Sequence, residues 1–160
     1  MDLSTPDPKG DTMAATWTPK LIVVGIDGSE QSRHAAALGA SMARASGAKL
    51  HLMTVVRPPE GWWGIVGSPP TPSALGQSLT DAQRLILDAI TEEVDLEGVE
   101  YDTVEEIGDP ARMLLAYCEE TNADLLIVGK RGASLIERLV LGSVANRVIH
   151  EAPCPVTLVP

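Results

Sequence analysis

Short, unbroken apolar runs alternate along this chain with longer stretches in which small and apolar residues recur at helical spacing. The runs are Lys20 to Ile26 (KLIVVGI), Lys49 to Val56 (KLHLMTVV), Leu125 to Val128 (LLIV) and Val156 to Val159 (VTLV). Runs this short and rich in branched side chains predict buried strands, and LLIV, stopped by Gly129, predicts one buried on both faces. A further run, Val99 to Glu105 (VEYDTVE), alternates apolar and polar residues. That alternation predicts a strand with one wet side, close to a sheet edge.

The stretches between carry helix signals. Ser29 is a good N-cap for a helix of small residues reaching about Ser46, and Gly47 suits its left-handed end. From Ser73 an apolar face is predicted from Leu75, Leu79, Ala82, Ile86, Ala89, Ile90 and Val94. Asp109 as N-cap and Pro110 at the first helical position open a third helix, turning Met113, Leu114, Tyr117 and Cys118 to the core and ending at Asn122 in a left-handed conformation. A fourth runs from Ser143, read as its N-cap, through Val144 and Val148 to His150, and Ala152-Pro153-Cys154-Pro155 breaks it. Strict alternation of strand and helix predicts an α/β fold: a single-domain, five-stranded parallel sheet with helices on both faces. Ligands in such Rossmann-like sheets bind beyond the carboxyl ends of the strands, where the winding reverses. If the first and fourth strands are neighbours, the strand order is 3-2-1-4-5.

Two strand ends carry ligand-type chemistry: Ile26-Asp27-Gly28-Ser29 and Val128-Gly129-Lys130-Arg131-Gly132. After the second come nine residues, then Gly142 and Ser143 at a helix start. Glycines let the backbone approach an anion closely, and free N–H groups at a helix start point at it. Lys130 and Arg131 add positive charge. The pattern is neither the dinucleotide fingerprint nor a P-loop. A connection that merely needed turn glycines is the plainer alternative.

Length and composition narrow the function classes. At 160 residues the chain is expected to form one domain with a substantial core. With no Phe, three Trp and two Tyr, that core is built from aliphatic side chains. A formal net charge of −10 disfavours nucleic acid and anionic membranes as partners. No apolar run reaches the roughly 20 residues of a membrane span. Residues 1–19 read as a disordered tail without a signal-peptide core, so a cytoplasmic location is expected. Cys118 and Cys154 are expected to pack as reduced thiols, and His34, His51 and His150 lack metal-ligand spacing. The Pro- and Gly-rich stretch Arg57 to Thr71 predicts a long loop in which Trp62 and Trp63 cover a ligand, a partner surface or the domain's own edge.

Taken together, VVGIDGS, GDP, DLLIVGKRG, the G-x2-G-x9-G-S spacing and EAPCPVTLV resemble the universal stress protein family, over Lys20 to Pro160. Every glycine position of the motif is present, so the chain resembles the branch that binds ATP. The resemblance implies that Gly25 and Asp27 sit by the adenosine and that Val55 lines the adenine slot. It implies that Gly129, Lys130, Arg131 and Gly132 wrap ribose and phosphates. Gly142, Ser143 and Val144 then offer N–H groups, and Ser143 its hydroxyl, to the phosphates. Mg²⁺ or Mn²⁺ is expected with the nucleotide, held mainly by phosphate oxygens. A homodimer is expected through the C-terminal strand, whose unpaired edge invites a second copy. No nucleophile and base for ATP hydrolysis are evident, so any hydrolysis is expected to be slow. A nucleotide-dependent regulatory factor with an unknown protein partner is the leading expectation. The rival is an interaction module whose pocket is empty or holds another small molecule.

Overall fold

The computed structural model describes residues 17–58, 72–132 and 141–160. The Trp62-Trp63 loop and most of the N-terminal tail lie outside the described residues. The strands are β1 (Leu21–Ile26), β2 (Lys49–Val56), β3 (Tyr101–Ile107), β4 (Leu125–Gly129) and β5 (Val156–Val159). The helices are α1 (Glu30–Ser46), α2 (Pro72–Glu93), α3 (Pro110–Thr121) and α4 (Ser143–Glu151). The sheet is parallel, as the alternation predicted, with the order β3-β2-β1-β4-β5 expected if the first and fourth strands are neighbours.

The twofold period of the strands divides the core in two. Ile22, Val24 and Ile26 of β1, Leu50 and Leu52 of β2, and Leu125 and Ile127 of β4 turn to one face. There they meet the alanines of α1 and Leu87 and Ile90 of α2. Val23, Met53, Leu126 and Val128 turn to the other, against Leu114 and Cys118 of α3 and Ala145 and Val148 of α4. Being covered on both sides is why β1 and β4 read as continuous apolar runs.

The predicted caps of α1 and α3 form. Ser29 Oγ accepts from Ser32 N, and Gly47 closes α1 at φ 73°. Asp109 accepts from Arg112 N, Pro110 opens α3, and Asn122 ends it at φ 52°. Three expectations are corrected. The edge strand runs Tyr101–Ile107, two residues later than the alternation placed it. Ser143 is the first residue of α4 and Gly142 its N-cap, without a side-chain cap bond. On α2, Ala82 is exposed and Gln83 is 1% exposed on the inner face. The Gln83 amide donates to Thr54 O at 3.3 Å and Glu106 O at 2.6 Å, so a polar side chain tethers the helix to two strands. Leu75 is outside the described side chains. Trp17 stands largely in solvent.

Helix α1 rides unusually close to the sheet. A methyl group on Gly39 would come within 2.7 Å of Val24 Cγ2 and 3.1 Å of Leu50 Cδ1, both on fully buried residues. Gly39→Ala gains roughly 1 kcal/mol of helix propensity, but the overpacking costs about 1–3 kcal/mol. A net loss of about 1 kcal/mol is expected, read as a lower urea midpoint at unchanged slope. An unchanged or raised midpoint would mean that α1 stands clear of β1.

Candidate functional site

Beyond the carboxyl ends of β1, β2 and β4, on the α3/α4 side, lies a cavity of about 530 Å³. Strand parity builds it. Gly25 and Asp27 follow one another at a two-residue step on the β1 side, as do Met53, Val55 and Arg57 on the β2 side, and all five line the space. At Gly25 a methyl group would meet Leu114 and Val128 side chains, each at 3.1 Å, so the missing side chain lets these two pack down onto β1 as the cavity floor.

Nine of the ten residues predicted for the site line this one cavity: Gly25, Asp27, Val55, Gly129, Arg131, Gly132, Gly142, Ser143 and Val144. Lys130 does not line it. Its main chain is used structurally instead, donating to Val159 O at 2.6 Å and accepting from Gly142 N at 2.9 Å. The segments of the glycine motif close on one another. A methyl group on Gly132 would lie 2.7 Å from Asp27 Oδ2. One on Gly129 would lie 2.8 Å from Gln31 Cβ and 2.9 Å from Arg131 O. One on Gly142 would lie 3.3 Å from both Arg131 Cα and Lys130 O. Of the nine residues between Gly132 and Gly142, 133–140 lie outside the described residues. Asp27 also shapes its own turn, accepting from Ser29 N at 2.9 Å, and Gly28 takes φ 81° there.

Sequence reasoning missed several lining residues. Met53 and Val128 were legible from parity with Val55 and Gly25. Pro110 and Leu114 stand one helical turn apart on α3, and Arg57 stands two residues beyond Val55. The Arg57 Nη2 donates to Asp109 Oδ2 at 2.7 Å, and Arg147 of α4 reaches Asp109 Oδ1 at 3.2 Å. The bond from Arg112 N, followed by the two guanidiniums, holds the Asp109 carboxyl below the ordinary carboxylate range. Asp109 thereby ties together the end of β2, the start of α3 and the body of α4, three parts of the cavity rim.

Other chemistry-bearing residues lie elsewhere. His51 Nδ1 and the Tyr117 hydroxyl are 2.8 Å apart, and burial holds the imidazole below its usual value. Cys118 and Cys154 are free thiols, and burial pushes Cys118 up to about 12, leaving no thiolate for chemistry near neutral pH. His150 Nδ1 lies 2.7 Å from Asn146 O in the last turn of α4. Among the described residues, no helix is long and apolar enough to cross a membrane.

Comparison with known proteins follows the same lines. The model of the universal stress protein family matches residues 19–160. A universal stress protein of Thermus aquaticus is 34% identical over 141 residues, covering 88% of this chain and 98% of its own. A universal stress protein solved in complex with cAMP superposes with a TM-score of 0.65 at 28% identity, covering 90% of this chain and 98% of that one. One from Archaeoglobus fulgidus in complex with dAMP has a TM-score of 0.57 at 21% identity, over 90% and 98% of the two chains, a likeness of fold.

The Asp109 ties have a pH signature. Its folded carboxyl titrates below the ordinary 3.8, so the stabilisation is full above that value and fades as pH falls through the lower folded value. Asp109→Asn retains a cap but loses both ion pairs. The expected loss at pH 7 is about 0.5 kcal/mol, because solvent screens these pairs. Urea midpoints of variant and wild type should converge below pH 3.8. A gap that persists or widens in acid would contradict the assignment.

Proposed function

The chain belongs to the universal stress protein family, and from that premise we propose that it binds an adenine nucleotide, ATP, and acts as a nucleotide-dependent regulatory factor in a stress response. The phosphates lie in the cradle of Gly129, Arg131, Gly132 and Gly142, facing the N–H groups of Ser143 and Val144. Ser143 stands at the first position of α4 and lines the cavity, so its hydroxyl suits a phosphate oxygen. The ribose lies by Gly25 and Asp27, and the base reaches Val55. Lys130 contributes main chain to this cradle and charge from outside it. Mg²⁺ or Mn²⁺ accompanies the nucleotide through its phosphate oxygens.

One observation carries this reading: the Gly132 backbone and the Asp27 carboxylate face each other within a single cavity, so closely that a methyl group on Gly132 would have to displace the carboxylate. A motif conceived only as a turn has no need of that approach. The fit to the group is of the expected kind, since a side chain at Gly132 or Gly142 would fill the space the phosphates take. The cAMP complex of a 28%-identical neighbour supports an adenine nucleotide as the ligand class.

The remaining features follow from the same domain, residues 20–160, preceded by the tail 1–19. Strand β5 stands at the sheet edge, where its outer backbone groups suit pairing with a second copy and hence a homodimer. Nucleotide occupancy then biases which protein partner the dimer accepts. The acidic charge balance fits a cytoplasmic protein that binds neither nucleic acid nor membrane. Hydrolysis of ATP, if measured, is slow and incidental.

Thermal melting tests the proposal. Mg-ATP at 100 times Kd adds about 2.7 kcal/mol, which for a chain of this size raises Tm by about 5–10 °C. Gly142→Val should show no rise on adding Mg-ATP above its own unliganded melting temperature. Gly142 has an ordinary extended backbone, φ −70° and ψ 158°, so valine meets no dihedral strain there. The added methyls would press on the 130–132 backbone instead. No rise for the wild type, with no adenine nucleotide released on denaturing the purified protein, would favour the interaction module.

A further inference from the structure

A nucleotide seated with its phosphates on the glycines crosses the sheet in a set order. The cradle hangs from β4, Asp27 from β1, and Val55 from β2, and these strands are consecutive in the sheet. Ile26 is level with Thr54, so Asp27 and Val55 stand side by side one residue later. Neighbouring strands are roughly 4.8 Å apart, which puts the β2 end of the cavity about 10 Å from the glycines. The nucleobase therefore reaches a slot walled by Met53, Val55, Pro110 and Leu114. Among the described residues, one charged side chain lines that slot: Arg57.

Arg57 is not held like a loose surface arginine. Its Nη2 lies 2.7 Å from Asp109 Oδ2. Asp109 is in turn fixed by Arg112 N at 3.0 Å and by Arg147 Nη1 at 3.2 Å. The guanidinium is thus anchored at one edge, beside an apolar slot. A carboxylate at that distance offsets its pull on a phosphate but leaves its flat face available. That face is weakly hydrated and favours stacking on a π system.

We infer that Arg57 is the base-recognising residue of this site, with its guanidinium against the face of the nucleobase and Asp109 as the positioning residue that sets its plane. This rests on the nucleotide reading above. It assigns Arg57 to the base rather than to the phosphates, and it makes affinity depend on a residue outside the glycine motif.

Isothermal titration with Mg-ATP, and with ribose 5-phosphate by competition against a fluorescent ATP analogue, separates these roles. Arg57→Met should raise the Kd for Mg-ATP about fivefold and leave that for ribose 5-phosphate unchanged. Arg57 is largely in solvent, so unliganded melting should stay close to wild type. Asp109→Asn should weaken Mg-ATP binding about twofold and add nothing in the double variant, because both changes remove one arrangement. Parallel weakening of both ligands would assign Arg57 to the phosphates and overturn the inference. So would unchanged Mg-ATP affinity in Arg57→Met, or additive losses in the double variant. Absence of wild-type binding to Mg-ATP would instead overturn the nucleotide reading, and this inference with it.

Discussion

The ligand end of this molecule depends on how closely the backbone after β4 approaches the carboxylate that ends β1. With 2.7 Å between Asp27 Oδ2 and the position a Gly132 methyl group would occupy, a methyl group there would have to push the carboxylate aside. The same holds at Gly129 against Gln31, and more gently at Gly142 against the 130–132 backbone. None of these three glycines takes a positive φ; among the described residues the glycines that do are Gly28, Gly47, Gly98 and Gly108. The motif spacing is therefore a packing requirement more than a conformational one. Each glycine stands where two segments of the site must touch, and together they bring a helix start, a loop and an acidic side chain around one cavity.

The strands supply the rest by parity. On the α1/α2 side the sheet is filled to the point where Gly39 has no room for a methyl group. On the α3/α4 side the filling stops short at the carboxyl ends, where Leu114 and Val128 pack down onto Gly25 and form the floor of the cavity. One sheet thus has a closed face that fixes its geometry and an open end that can take a ligand. Asp109 fastens the rim of that opening by joining the start of α3 to the end of β2 and to α4.

Much of this was legible in the residues alone. Continuous runs such as LLIV give a strand covered on both faces, and the caps Ser29, Gly47, Asp109 and Asn122 act locally, through bonds to residues three or four positions away. The strand order followed from requiring two ligand-bearing ends to share a crevice. What escaped was set by partners distant in sequence. Gln83 reads as polar surface until its amide is seen to satisfy carbonyls of β2 and β3. Ala82, apolar in sequence, faces solvent as a result. Edge strand β3 begins two residues late because its bounds depend on pairing with Lys49–Val56, not on its own alternation. Arg57 was hidden in a loop reading, although its parity with Met53 and Val55 pointed to the same face. Lys130 was assigned to the site for its charge, while its backbone turned out to continue the link between β4 and β5.

The decisive observation would come from backbone amide resonances followed through a titration with Mg-ATP. The arrangement described here requires the largest shifts at Gly129 to Gly132, at Ser143 and Val144, and at Asp27 and Gly28, moving together with one dissociation constant. Shifts at the glycine segments without Asp27, or shifts gathered on another face of the sheet, would mean that the two strand ends do not hold a single ligand.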